Sequence, residues 1–276
     1  FLDWADLFGK GGSVEERPNP ILRASLRPIE TYFENHFRNH PFGTTVICET
    51  LKERALDFGV TEKQLCLLYN GFDVTGWAPI SIEKARTACN LDHGIKLIGY
   101  LGSLFPNDAK LMADSFNAIQ TLRQDVHLLH VGISNYQSKK YINEPTSLIE
   151  TGPVDFVKMM TYLSACNLLW LPFHNSLANQ GRFPLKFTNY IASGRAVIAT
   201  DVGDVPKFIR KYKVGKVSVD TPLSIFEASL SLLDDPESCS KSGESALKLS
   251  KNPSQSWSAR AEKLLSFYQK GLANEN

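Results

Sequence analysis

Several things are scarce in this sequence of 276 residues. Charge of one sign is the first: 30 Lys and Arg stand against 29 Asp and Glu, a net charge of +1. No global field therefore recruits nucleic acid as a partner. Cysteine pairs are missing too. Cys48, Cys66, Cys89, Cys166 and Cys239 are odd in number and scattered, with no C-x-x-C spacing. That pattern fits free thiols in a reducing compartment better than a disulfide framework. The longest apolar runs, such as "NLLWLPF", fall far short of the ~20 residues of a membrane span. No signal peptide is visible, although the chain opens on Phe1 without a methionine and reads as a piece of something longer. There is no G-x-G-x-x-G after a strand and no G-x-x-x-x-G-K-[ST], which argues against nicotinamide dehydrogenases and P-loop nucleotidases.

What is present is an α/β rhythm. At the start, "FLDWADLF" predicts a strand and "GKGG" a turn. A helix is predicted over roughly 19–40, with Ile21, Leu22, Leu26, Ile29, Phe33 and Phe37 on one buried face. Pro28 predicts a kink or break in it. "TTVIC", "ETLKERALDFG" and "QLCLLYNGFD" then read as strand, helix and strand, and "VTGWAPIS" as a linker. Beyond it, six strand–helix units alternate: "KLIGYLG", "VHLLHVG", "SLIETG", "NLLWLPF", "AVIAT" and "GKVSV" are strands, each followed by a helical segment. Among those segments "NYQSKKYI" is weakly helical. Such a series predicts a doubly wound, Rossmann-like parallel sheet with helices on both faces. Ligands then belong at the loops after the strands. The last helix, "SWSARAEKLLSFYQKGL", carries Trp257, Ala261, Leu264, Leu265 and Tyr268 on one face and is predicted to return to the first domain. The expected domains are 1–75, 76–255 and the returning helix 256–276.

The informative loop is "HNSLANQGRFP", which leads into the helix "PLKFTNYIAS". Arg182 and Lys186 bring positive charge to a helix start whose free N–H groups already make the field positive. Main-chain N–H groups around Phe183, Pro184, Leu185 and Lys186 can hold phosphate there, and arginine can grip its oxygens in pairs. Asn189, one turn in, can hydrogen-bond a ribose or sugar hydroxyl. The same residues also read as two solvated cations and a surface asparagine. In "GSL", Gly102 and Ser103 end a strand where backbone can approach a ligand. In "TGPV", Gly152 and Val154 can meet a base, and both loops are equally ordinary turns. Asn70 and Gly71 face the presumed cleft and also form a common turn signature. His174 ends a strand and stays a candidate, whereas His130 reads as a buried, hydrogen-bonded ring. His36 and His40 lack acidic or cysteine partners at metal-like spacing, so no metal site is expected.

In this order the segments "TTVICETLKERALDFGVTEKQLCLLYNGFD", "IGYLGSL", "HLLHVG", "TGPVDFVKMMTYLSACNLLWLPF" and "RFPLKFTNYIASGRAVIATDVGDVPKFI" resemble the retaining GT-B glycosyltransferases of family four, glycosyl transferases group 1. "DWADLFGKGG" resembles a segment deep in the first domain of such enzymes, whose earlier part is absent here. The resemblance implies two Rossmann-like domains, the first truncated. It also implies a nucleotide-diphospho-sugar donor on the second, with no further cofactor and no required metal. Transfer would go to an acceptor hydroxyl with retention. The acceptor, whether carbohydrate, lipid-linked or a small molecule, is not specified. Nor is the donor's base or sugar. Such enzymes work in the cytoplasm, some at the inner membrane face. The family's Glu-x7-Glu motif falls on Gly181 and Asn189, so both carboxylates are replaced. Ser103 stands where an arginine is usual, and Asp108 lies near the place of a lysine, with Lys110 close by. These departures keep open a different class of function, a catalytically silent sugar-nucleotide-binding module or partner subunit.

Overall fold

The computed structural model describes residues 1–39, 42–134 and 138–273. The first unit contains β1 (Leu2–Trp4), α1 (Pro20–His36), β2 (Thr44–Val46), α2 (Glu49–Asp57) and β3 (Leu65–Leu67). Its strands pair in parallel in the order β1-β2-β3. Trp4, Val46, Leu51 and Ala55 form a small buried core between strands and α2.

Helix α1 starts where Asn19 Oδ1 accepts the N–H groups of Ile21 and Leu22, with Pro20 preset for the first turn. Two expectations are corrected here. Of the kink or break expected at Pro28, the break does not occur: the helix runs continuously from Pro20 to His36. The apolar stripe is not buried either: Ile21, Leu22, Ile29, Phe33 and Phe37 are all exposed. The residue turned inward is Glu34. Its carboxylate accepts Trp4 Nε1–H at 2.9 Å, Phe8 N–H at 3.0 Å and the N–H of Gly9. Those donors replace the water that burial removes, and they orient α1 polar side in. His36 is held locally by Tyr32 O at 2.8 Å. His40 lies outside the described residues.

The stretch before the second sheet holds a helix that the sequence pattern left unassigned, α3 (Ile82–Cys89), begun by Ser81 accepting Lys84 N–H. Then follow β4 (Lys96–Leu101), α4 (Pro106–Gln120), β5 (Val126–Val131), β6 (Leu148–Glu150), α5 (Phe156–Ala165) and β7 (Leu168–Leu171). After these come α6 (Leu177–Gln180), α7 (Leu185–Ser193), β8 (Ala196–Thr200), α8 (Val205–Tyr212), β9 (Gly215–Ser218), α9 (Pro222–Leu233), α10 (Pro236–Ser250) and α11 (Trp257–Ala273). Part of "NYQSKKYI", residues 135–137, lies outside the described residues, and 138–140 form a 3-10 turn rather than an α-helix.

Six parallel strands make one sheet in the order β6-β5-β4-β7-β8-β9, as the alternating pattern requires. Leu97, Leu129, Leu169 and Val197 feed one core layer, and Ile98, Leu128, Leu168, Trp170 and Ile198 the other. A two-sided core is the consequence of strands apolar on both faces. The chain reverses its direction across the sheet between β4 and β7, so the switch point lies at the loops after these two strands.

Two joints tie the units together. Asp204, buried ahead of α8, accepts Glu49 N–H at 2.7 Å, Tyr69 O–H at 3.0 Å and the Lys207 ammonium at 2.7 Å. It thereby satisfies a free N–H at the head of α2, whose own cap residue Cys48 offers no side-chain acceptor bond. Around it Tyr69, Phe72, Phe183, Phe187 and Phe208 pack ring on ring. Helix α11 runs back over the first sheet, where Lys263 Nζ donates to Leu67 O at 2.7 Å and Phe1 packs edge-on against Phe267 and tilted against Tyr268. Its inward residues are Leu264, Phe267 and Tyr268, whereas Trp257, Ala261 and Leu265 are exposed, a partial correction of the expected face.

Candidate functional site

At the switch point, β4 ends in Gly102, whose φ of +78° suits glycine. Its neighbours at the same edge are Gly132 after β5 (φ +104°) and Gly152 after β6 (φ +64°). Gly132 and Gly152 form a single bridge pair, and a Cβ on Gly132 would lie 3.4 Å from Gly102 Cα. Three glycines thus strip side chains from one stretch of the carboxyl edge. Only Gly102 and Gly152 stood out in the sequence. Gly132 ends "VHLLHVG" at the same place in its strand–loop unit, which is the signal that would have found it.

The predicted cationic corner is present, with a different use of its two charges. "HNSLANQGRFP" is not all loop, since it contains the single turn α6. Pro184 caps α7 rather than entering its first turn, and has no N–H to offer. Leu185 and Lys186 head α7, so their N–H groups have no intrahelical acceptor. Tyr190 O–H accepts Leu101 N–H at 2.9 Å, which pins α7 to the end of β4. From the first turn Lys186 reaches back over Gly102. Its Nζ donates to Tyr100 Oη at 2.5 Å and to Ser103 O at 3.2 Å, and it sits 4.3 Å from the Tyr100 ring centre. Burial, and next the nearby charge of Arg182, push this lysine down to about 7. It is therefore a cation that titrates near neutrality and gains from any anion placed beside it.

Arg182 is already partnered. Its guanidinium lies between the rings of Phe173 and Phe105, 4.2 and 4.5 Å from their centres. Nη2 meets Asp108 Oδ2 at 3.3 Å and donates to Asn179 Oδ1, while Nε is buried without a partner among the described residues. Asp108 is itself buried and accepts His174 N–H at 2.7 Å and Asn179 Nδ2–H at 2.8 Å. Burial raises its carboxyl above the ordinary range, and the Arg182 charge opposes that rise. Across the gap, burial likewise raises Asp6 and Glu16 of the first unit, again opposed by Arg182. The expected free arginine is thus neutralised and stacked, so Lys186 and the α7 N–H groups carry the positive field.

The other predicted residues are placed as follows. Phe183 is buried in the interunit aromatic cluster, and its carbonyl accepts Asn70 Nδ2–H at 3.0 Å. Asn70 therefore fastens the α7 entry instead of lining an open cleft. Gly71 is buried against Trp257, whose backbone N would lie 2.5 Å from a Cβ there. Leu185 is exposed, and Asn189 is half-buried with no side-chain hydrogen bond among the described residues. Ser103 contributes its carbonyl, which accepts from Lys186 and Tyr100. Val154 is partly buried and packs against the core. His174 is half-exposed, with Nδ1 3.4 Å from Asp220 Oδ2. His130 is buried and bonds Gly102 O through Nε2 at 2.8 Å, supporting the strand end as a structural ring. Lys110 pairs with Asp114 on the exposed face of α4, away from this corner. Gly181 closes α6, and a Cβ on it would lie 2.8 Å from Leu7 Cβ, so the first unit occupies the space a side chain would need.

Beyond the corner, Gly132 and Gly152 open into a cavity of about 550 Å³ lined also by Ile133, Lys139, Lys140 and Glu150. Tyr100, Gly132, Glu150, Lys139 and Lys140 were not singled out from sequence. A lone tyrosine or glutamate on a strand carries no motif.

A six-stranded Rossmann-like sheet with a smaller parallel sheet beside it is the GT-B glycosyltransferase architecture. Residues 95–235, just over half of the chain, match the pattern of the glycosyl transferases group 1 family, and the chain belongs to that family. The whole chain superposes on sucrose-phosphate synthase from Thermosynechococcus elongatus with a TM-score of 0.79 at 18% identity, covering 99% of this chain and 68% of that one. For HepE of Anabaena, solved in complex with UDP, the TM-score is 0.73 at 12% identity, over 97% of this chain and 71% of that one. In sequence the chain is similar to TuaH of Bacillus subtilis (strain 168), named as a teichuronic acid biosynthesis glycosyltransferase. The two are 27% identical over 136 residues, which is 48% of this chain and 33% of TuaH. The matched stretch thus spans a third of the length of that curated relative. Among the described residues no helix is long and apolar enough to cross a membrane.

Proposed function

We propose that the chain carries the donor half of a glycosyltransferase that moves a sugar from a nucleotide-diphospho-sugar to an acceptor hydroxyl, with retention and with protein cations where other enzymes use a metal. The observation that carries this reading is Lys186 Nζ held over Gly102 at the head of α7. Departure of the nucleoside diphosphate builds negative charge on its terminal phosphate. Lys186 and the N–H groups of Leu185 and Lys186 are preset for that charge and need no reorganisation. Asn189, one turn on, is free to meet ribose hydroxyls. The complexes of HepE with UDP and with UDP-glucose agree with a nucleotide-sugar donor for this fold. Asp108 and Asn179 keep Arg182 in register, so its charge lowers Lys186 without competing for the ligand.

Calorimetry with nucleoside diphosphates and the matching nucleosides tests the placement. Lys186→Ala is expected to weaken the diphosphates about 10- to 100-fold, the loss of a charge-assisted bond, and to leave the nucleosides unchanged. Equal loss for both would move the phosphate elsewhere. A second reading, a sugar-nucleotide-binding module without turnover, is favoured by Gly181, where Leu7 fills the place of the family's first carboxylate. Donor consumption by the full-length protein separates the two, since the silent module binds donor and consumes none.

A further inference from the structure

The cavity beside the glycine edge has a chemical preference of its own. It lies next to the diphosphate corner, because Gly132 is part of its lining and stands within contact distance of Gly102. Its volume of about 550 Å³ is within the ~300–1,000 Å³ usual for small-molecule sites. Ile133 and Pro153 supply apolar surface for a flat ring, and Gly132 and Gly152 keep the floor bare. The charged lining residues are Lys139, Lys140 and Glu150. Glu150 ends β6 and is exposed, and its carboxylate has no hydrogen bond or ion pair within the described residues. A carboxylate accepts and cannot donate, and its two oxygens suit two adjacent N–H donors.

Among the common bases only guanine presents such a pair, the ring N1–H beside the 2-amino group, with O6 as the neighbouring acceptor. Uracil offers one N–H between two carbonyls, so a carboxylate oxygen would face a carbonyl oxygen. Adenine and cytosine offer an amino group beside a bare ring nitrogen, with the same mismatch. Resting on the donor-site reading above, we infer that this cavity selects a guanosine diphosphate donor, with Glu150 reading the N1–H and 2-amino edge and Lys139 or Lys140 donating to O6.

The test is calorimetry of GDP, IDP, UDP, ADP and CDP with the 276-residue chain, its Glu150→Gln and Glu150→Ala variants, and melting curves to confirm that each is folded. GDP is expected to bind about 10- to 100-fold tighter than UDP, the usual discrimination of a two-bond base contact. IDP lacks only the 2-amino group and is expected to fall between GDP and UDP, which needs no variant to be informative. In Glu150→Ala, GDP and IDP should become equal. In Glu150→Gln the amide can accept one bond but sets its own N–H₂ against the second donor, so most of the GDP margin should vanish. Binding of UDP, ADP or CDP as tight as GDP, or a GDP preference untouched in both variants, overturns the inference while leaving the diphosphate site standing. A folded chain that binds none of the five overturns the donor site itself, and this inference with it.

Discussion

If Lys186 holds the diphosphate, as proposed, the affinity for a nucleotide-sugar depends on pH in a way that no solvated lysine would produce. A lysine is ordinarily charged throughout the neutral range, and here burial and Arg182 bring it down to about 7 from an ordinary 10.5. An anion beside Nζ favours the charged form, so binding raises this value. Above neutrality the free site has lost its proton and must take one up to bind, and affinity falls as pH rises. Below neutrality the lysine is already charged and the curve flattens. If the bound diphosphate restores the ordinary value, affinity drops about 50-fold from pH 7 to pH 9 and less than about twofold between pH 6 and pH 7. The ligand should be an intact nucleotide-sugar, whose diphosphate diester keeps its two negative charges unchanged across this window. The window also lies above the ordinary titration of histidine. Tyr100, which Lys186 touches, is pushed well above its usual value by burial and does not titrate here. Calorimetry in two buffers of different ionisation enthalpy measures the proton taken up directly. Lys186→Met should bind more weakly at pH 7 and show no slope from pH 7 to pH 9. A wild-type affinity that is flat over that interval, or a slope that persists in the methionine variant, refutes the assignment of the phosphate to Lys186.

The strand–helix order and the loop that leads into α7 were legible because both follow from short-range rules. Runs such as "NLLWLPF" and "AVIAT" are apolar on both faces, which only a covered parallel sheet accommodates, and the sheet order then fixes which loops converge. What stayed illegible depends on partners distant in sequence. Arg182 looked like a free cation because nothing near it in the chain is acidic, yet its partner Asp108 arrives from 74 residues away. Asn70 looked like a turn residue at a cleft, and its amide is claimed by Phe183 O, 113 residues on. Helix α1 misled for the opposite reason. Its periodicity is sound, but periodicity names an apolar face without saying what covers it. The inward orientation was set by one glutamate meeting three N–H donors. Pro28 did not stop that helix: a proline removes one N–H donor from the ladder, and the helix continues past it on a mostly exposed surface.

Two further predictions address stability and the replaced carboxylate. Asp204→Ala removes the acceptor for Glu49 N–H, Tyr69 O–H and Lys207, and is expected to cost about 2–4 kcal/mol, with Asp204→Asn costing less because an amide oxygen still accepts. Thermal melts of the three chains check the order, and an alanine variant as stable as wild type would show that this joint carries no stability. Gly181→Glu restores the family's carboxylate but places a Cβ 2.8 Å from Leu7 Cβ, a contact that must be relieved by a shift of the first unit. The expected cost is about 1–3 kcal/mol of overpacking, visible as a lower melting temperature. Leu7→Gly in the same chain removes the crowding Cβ and should recover part of that loss, although Leu7→Gly alone destabilises because Leu7 is buried. The sign of the coupling is therefore the measurement: the double variant must be more stable than the sum of the two single changes predicts. Strict additivity would mean that Leu7 does not occupy the place of the missing side chain, and the steric reason for a glycine at 181 would be lost.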